Sequence, residues 1–157
     1  MLFAIKRRGV NVSYKRAILQ QVGPQDESLF RGEDVDFNWR VKKLGYEVYY
    51  DPAIKVRHYH RPSLKQFVNQ FYMYGRAYYL VRRKWPEMYC VYPQRVSSIK
   101  DLLKAMYFVA STVFEPVLIA AKMQRLADRL ASLPTIYALH IAWKLGMLVQ
   151  RYKRENA

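Results

Sequence analysis

Glu33, Asp34 and Asp36 put three carboxylates into four successive positions of a chain whose formal charge is +15. Carboxylates this close repel one another, so the cluster needs a helix N-terminus, a metal or a cationic substrate to offset it. Two readings follow: a site that handles a cation or a proton, or simply the acidic first turn of a helix, which the macrodipole favours. Seven of the 12 acidic residues lie between Asp26 and Asp51, whereas the residues after Asp51 carry five against 18 Lys and Arg. An acidic segment is thus attached to a basic body.

The elements that must position these acids can be read from periodicity and punctuation. Lys15 to Val22 reads as a short helix, with Ser13 as its N-cap and Gly23 as its stop. A helix from about Glu33 to Leu44 begins on the acids and ends on Lys42 and Lys43, with Gly45 beyond and Phe37, Val41 and Leu44 on one face. Tyr46 to Tyr50 and Ile54 to Tyr59 read as strands about the turn at Asp51-Pro52. From Ser63 a long helix carries Leu64, Phe67, Phe71, Tyr74 and Tyr78 at intervals of three and four, until Pro86 ends it. Ser98 and Asp101 have capping-box spacing and open an apolar segment, Leu102 to Ala121. Two further helical runs, Lys122 to Ser132 and Thr135 to about Tyr152, are amphipathic and basic. A domain boundary is expected near Pro86 to Pro93, dividing residues 1–86 from a basic helical region at 87–157.

The 157 residues suit one domain with or without an appendage, and 52% hydrophobic content with 14 Tyr excludes general disorder. A lone Cys90 excludes an intrachain disulfide or a Cys-based zinc cluster and points to a reducing, cytosolic setting. Lys6-Arg7-Arg8 interrupts the only apolar start, so no secretory signal is expected. The charge calls for an anionic partner: nucleic acid, anionic lipid headgroups or a nucleotide phosphate. Leu102 to Ala121 is long enough to cross a bilayer, but Lys104, Glu115 and Pro116 are costly there. Together with the basic amphipathic runs it suits an anionic membrane surface, and the alternative is a soluble helical pair packed on the preceding domain.

Other signals are weaker. Asp34-Val35-Asp36 spells D-x-D, the metal-binding pair of many nucleotide-sugar enzymes, but such a pair is expected at the end of a buried apolar strand and here a helical pattern follows. His58 and His60 fall on one side of a strand or on a loop, where they could ligate a metal or be structural. The six glycines are scattered singly, so there is no phosphate-cradling loop.

The order of Gly9-Val10-Asn11-Val12-Ser13-Tyr14, Gly23, Asp26-Glu27, Phe30, Gly32-Glu33-Asp34-Val35-Asp36-Phe37, Arg40, Leu44-Gly45-Tyr46, Asp51-Pro52 and Val56-Arg57-His58-Tyr59-His60-Arg61-Pro62-Ser63-Leu64 resembles the C-terminal half of a family 2 glycosyltransferase. Gln70 to Arg76 looks like the aromatic, Gly-Arg-ending helix that follows the catalytic core in many bacterial members. The resemblance implies an α/β fold, a partial GT-A (Rossmann-like) domain followed by a helical, membrane-associated region. It also implies inverting transfer of a sugar from a nucleoside diphosphate donor to an acceptor hydroxyl, on a glycan or a lipid-linked acceptor of the cell envelope.

Carried over residue by residue, Asp34 matches the general base that takes the acceptor proton, with Glu33 beside it to position the acceptor or raise its basicity. His58 matches a histidine that ligates metal or contacts the diphosphate, and His60 and Arg61 are the next substrate-binding candidates. Asn11 and Ser13 match a segment near the sugar pocket. Arg40 is a candidate substrate contact, or a partner of the acids. A divalent metal, Mg or Mn, is implied for the complete enzyme, as is a cytoplasmic-face membrane location, peripheral or with one membrane segment.

The family's donor-binding half, with its D-x-D strand, is not found in these residues, and Gly23-Pro24-Gln25 stands where a Gly-Gly-aromatic turn is usual. The chain is therefore expected to bind donor weakly and to be inactive alone, needing a separate N-terminal half. Two competing readings are a noncatalytic membrane-associated or regulatory fragment and a basic nucleic-acid-binding module. The second would stack bases on Tyr72, Tyr74, Tyr78 and Tyr79, yet these recur at helical spacing beside Leu and Phe, as core residues do, so nucleic acid is not the expected partner.

Overall fold

A computed structural model describes residues 12–47, 49, 51–57, 59, 63–88, 90 and 96–155. Their regular structure consists of α1 (Arg16–Val22), α2 (Glu33–Lys43), α3 (Leu64–Lys84), α4 (Ile99–Ala121) and α5 (Leu126–Glu155). Two compact units divide between His60 and Arg61. The long aromatic helix α3 thus belongs with α4 and α5, upstream of the boundary expected near Pro86.

The expected α/β architecture is overturned: no strand occurs among the described residues. In the two segments read as strands, Tyr49, Ile54, Val56 and Tyr59 are exposed. Their branched and aromatic composition is that of a strand. A strand, however, exists only by pairing its N–H and C=O groups with a neighbour, and no described segment supplies one. Local turn chemistry takes over instead, with the Asp51 carboxylate accepting from the Ala53 N–H at 2.9 Å.

The first unit is built on α2. Gly32 precedes it at φ 83°, a left-handed conformation that glycine adopts without a Cβ penalty. Glu33, Asp34 and Asp36 occupy the first turn and Arg40, Lys42 and Lys43 the last, both matching the helix dipole. Phe37 and Val41 are buried, and the Tyr14 ring meets Phe37 edge-on at 4.9 Å. Helix α1 opens on Lys15 without any side-chain cap, so Ser13 does not cap it as expected; Gly23 closes it. The Tyr46 hydroxyl donates to Gln21 Oε1 at 2.7 Å, tying the segment after α2 to α1.

The second unit is a helical bundle with α5 packed against both α3 and α4. Ser63 caps α3 by accepting from the Gln66 N–H at 3.2 Å, and Ser98 caps α4 by accepting from the Asp101 N–H at 3.2 Å. The Asp101 carboxylate in turn accepts from the Ser98 hydroxyl at 2.8 Å, a reciprocal variant of the capping box. Tyr79, Phe108 and Met147 form the core, with Tyr78, Cys90 and Trp143 against it. Helices α3 and α5 cross at two glycines. A Cβ on Gly75 would lie 2.7 Å from the Trp143 carbonyl carbon, and one on Gly146 would lie 3.0 Å from the Tyr72 carbonyl carbon. The Arg76 guanidinium donates to Gln150 Oε1 at 2.9 Å, a polar cross-link between the same two helices.

Helix α5 is continuous where two runs were expected, with Pro134 in its interior. The bond that proline forfeits is the one to the carbonyl of Leu130, a residue 61% exposed, so solvent can satisfy it. Helix α4 is long and apolar enough to cross a membrane, and 17% of its most apolar window is buried.

Candidate functional site

The αL conformation of Gly32 turns the chain so that α2 begins with its acids at the helix N-terminus. The Asp36 N–H bonds the Gly32 carbonyl at 3.0 Å, closing the first turn. The three carboxylates then part company, because successive residues of a helix point about 100° apart.

Asp36 turns inward and is fully buried. Its Oδ2 accepts from Arg40 Nε at 2.9 Å, one turn along the same helix. The same guanidinium donates from its two terminal nitrogens to the Val22 carbonyl at 2.6 Å and the Pro24 carbonyl at 2.8 Å. Arg40 therefore clamps the turn after α1 onto α2, and its charge offsets that of the fully buried Asp36. Asp34 and Asp36 thus do not converge as a metal-binding pair.

Glu33 and Asp34 are half-buried. Asp34 Oδ1 accepts from the Val35 N–H at 2.8 Å. Glu33 Oε2 is shielded from solvent and has no hydrogen-bond partner among the described residues. Around Asp34 stand two residues that sequence reasoning left without a role. Asn38 is buried, its side-chain amide donates to the Asp34 carbonyl at 2.8 Å, and its Oδ1 accepts from the Tyr14 hydroxyl at 2.8 Å. Burial raises the Tyr14 pKa above its ordinary value, and the negative charge of Asp34 adds to the rise against the Asn38 hydrogen bond. The signal for Asn38 was its place one turn after Asp34. Nothing in the spacing of Tyr14 announced that it would reach the same point.

Ser13 is exposed. Asn11, His58, His60 and Arg61 lie outside the described residues, and so does any metal role for His58. Among the described residues no group of three or more His, Cys, Asp or Glu could hold a metal ion. Asp36 is committed to Arg40, and the histidine expected to ligate Mg or Mn, His58, lies outside the described residues.

What the described geometry offers is an ionisable pair, Glu33 and Asp34, at a helix start, backed by a Tyr14–Asn38 brace. Over 61 residues the chain is 34% identical to a pre-mycofactocin glycosyltransferase of Mycobacterium tuberculosis, covering 39% of this chain and 13% of that protein. Over 59 residues it is 37% identical to a dolichyl N-acetyl-alpha-D-glucosaminyl phosphate 3-beta-D-2,3-diacetamido-2,3-dideoxy-beta-D-glucuronosyltransferase of Methanococcus voltae, covering 38% of this chain and 18% of that one. The chain is related to glycosyltransferases. It spans less than a fifth of the length of these curated relatives. No protein-family model and no solved structure matches it.

Proposed function

We propose that the chain contributes the acceptor-side, proton-accepting part of an inverting glycosyltransferase that uses a nucleotide-sugar donor and works at the cytoplasmic face of a membrane. The likeness to two differently named glycosyltransferases carries the reading, and the carboxylate pair supplies its chemistry. Asp34, in the first turn of α2 and bonded by the Val35 N–H, takes the proton of the acceptor hydroxyl as that oxygen attacks the anomeric carbon. The nucleoside diphosphate leaves from the opposite face of the sugar. Glu33 accepts a hydrogen bond from the acceptor and so holds it for attack. Tyr14 and Asn38 do not touch the reacting atoms; they hold the first turn of α2 in place.

Donor binding and charge compensation for the leaving diphosphate fall to residues outside the described set or to a donor-binding partner region. The acceptor is a glycan or lipid-linked hydroxyl at the membrane.

The test is sugar transfer from radiolabelled nucleotide-sugars by membranes of cells producing the chain at matched levels, as wild type or Asp34→Asn. Loss of a general base lowers the rate by about 10²–10⁴-fold. Equal transfer by the Asn variant would sink the assignment of Asp34. Full turnover by the purified chain alone would sink the division of labour with a donor-binding region.

A further inference from the structure

Helix α4 is amphipathic in the reverse of the soluble sense. At about 100° per residue, Ser111, Thr112 and Glu115 share one stripe, and that stripe is the one turned toward α5. Ser111 is 3% exposed. Lys144 of α5, only 5% exposed, donates to the Phe108 carbonyl, to Ser111 Oγ at 2.7 Å and to Thr112 Oγ1 at 2.8 Å. His140 Nε2 lies 3.4 Å from Glu115 Oε2, and the Tyr137 hydroxyl donates to the Val113 carbonyl at 2.6 Å. Apart from the core residue Phe108, many large apolar side chains point away: Val109 and Val113 are 69% and 68% exposed, and Leu103, Met106 and Leu118 are exposed with them.

A helix in water buries its apolar face and wets its polar one. In hydrocarbon the preference inverts, because an unpaired polar group is costly there and an outward Val or Leu is not; small and polar residues then mediate helix contacts. The Gly75–Gly146 crossing belongs to the same mode of packing. Charge selects the occupant of the bare face. Lys100 and Lys104 stand near one end of α4, and Lys122, Arg125 and Arg129 follow the other. A second copy of a chain of charge +15 would bring like charges together at both ends, whereas an anionic bilayer presents hydrocarbon flanked by negative headgroups.

The geometry points to the outer face of α4 being seated in the acyl-chain layer of an anionic bilayer, while its polar stripe stays fastened to α5 through Lys144. This rests on the membrane location proposed above and gives it a contact surface and an internal fastener. Lys144 reaches three oxygens of α4 at once. It keeps those oxygens satisfied while the helix's other face meets lipid.

The experiment uses the whole chain with Cys90→Ala and a single cysteine in place of Val113 or, as control, of the exposed Arg83, each carrying an environment-sensitive fluorophore. Vesicles contain phosphatidylcholine and phosphatidylglycerol, with or without brominated acyl chains. The probe at position 113 is expected to blue-shift and be quenched severalfold more by brominated chains than the probe at 83. Val109→Asp should weaken vesicle binding by at least about tenfold. Lys144→Ala should speed amide exchange in residues 136–147 by about tenfold or more while quenching at 113 persists.

Binding without quenching at 113 would mean attachment by charge alone, which overturns the seating but leaves the membrane location standing. Failure to bind vesicles overturns both. Protection of the probe at 113 in solution, with a dimer in sedimentation, would assign the face to a second copy instead. Unchanged exchange in Lys144→Ala would remove the fastener.

Discussion

Replacing Gly75 by alanine sets two principles against each other. Helix propensity favours the change, since glycine in a helix interior costs about 0.5–1 kcal/mol relative to alanine. Packing opposes it, because the new Cβ would stand 2.7 Å from the carbonyl carbon and 3.1 Å from the Cα of Trp143, against an optimum of about 3.5–4.0 Å between carbons. Those neighbours are backbone, which no rotamer change can withdraw, so α3 and α5 must part by about 1 Å to restore contact distance.

Parting them loosens the Tyr78–Trp143 edge contact at 5.1 Å, the Arg76–Gln150 bond and the seat of Met147, which is fully buried. Overpacking of this kind costs roughly 1–3 kcal/mol, and the rigid neighbour places it at the upper end. After the propensity gain the net loss is about 2 kcal/mol. Gly146→Ala should cost a similar amount, and the double variant less than the sum, because one separation accommodates both methyl groups. Urea denaturation followed by circular dichroism in mild detergent reads this as a lower midpoint at an unchanged slope. A higher midpoint for Gly75→Ala would refute the reasoning, since propensity would then have won and the close crossing would not exist.

Asp36→Ala should destabilise the first unit by about 3 kcal/mol, because it leaves the clamping Arg40 without the carboxylate it shares with two carbonyls; an unchanged melting midpoint would contradict the clamp. Ser98→Ala removes the α4 cap and should cost about 1 kcal/mol, read as faster amide exchange in the first turn of α4. Because the folded state raises the Tyr14 pKa, the stability it contributes is complete below the unfolded tyrosine value and is lost as pH rises through the higher folded value. Denaturation midpoints of wild type should therefore fall more steeply than those of Tyr14→Phe as pH rises above about 10; parallel slopes would count against the half-buried placement of Tyr14 near Asp34.

Much of the local structure was legible along the chain. The acids at one end of α2 and the cations at the other, Gly23 and Gly45 beyond helix ends, and the caps at Ser63 and Ser98 are all signals that act within one turn, and the backbone obeys them. The relation to glycosyltransferases was likewise carried by residues in order. The strands were not decided there, because alternation says which face a strand would bury and not whether another segment lies beside it. Residues 46–59 have the composition of strands, yet those described remain irregular. The gap expected between Ser132 and Thr135 failed for a similar reason: propensity counts the bond lost at Pro134, while packing of α5 on both α3 and α4 holds the helix through it.

By itself the sequence determined which residues are acidic, basic or apolar and at what helical angle each stands, and therefore that Glu33, Asp34 and Asp36 open one helix and that α4 has a polar stripe. Only the tertiary structure decided what meets those faces. It turned Asp36 inward to Arg40 and left Glu33 and Asp34 at the helix start, brought Tyr14 to Asn38, and pointed the polar stripe of α4 at Lys144 instead of at water. The physical reason is that these pairings join residues on separate elements or choose among several partners within reach. A helix's own periodicity specifies its faces but not the neighbour that each face will find.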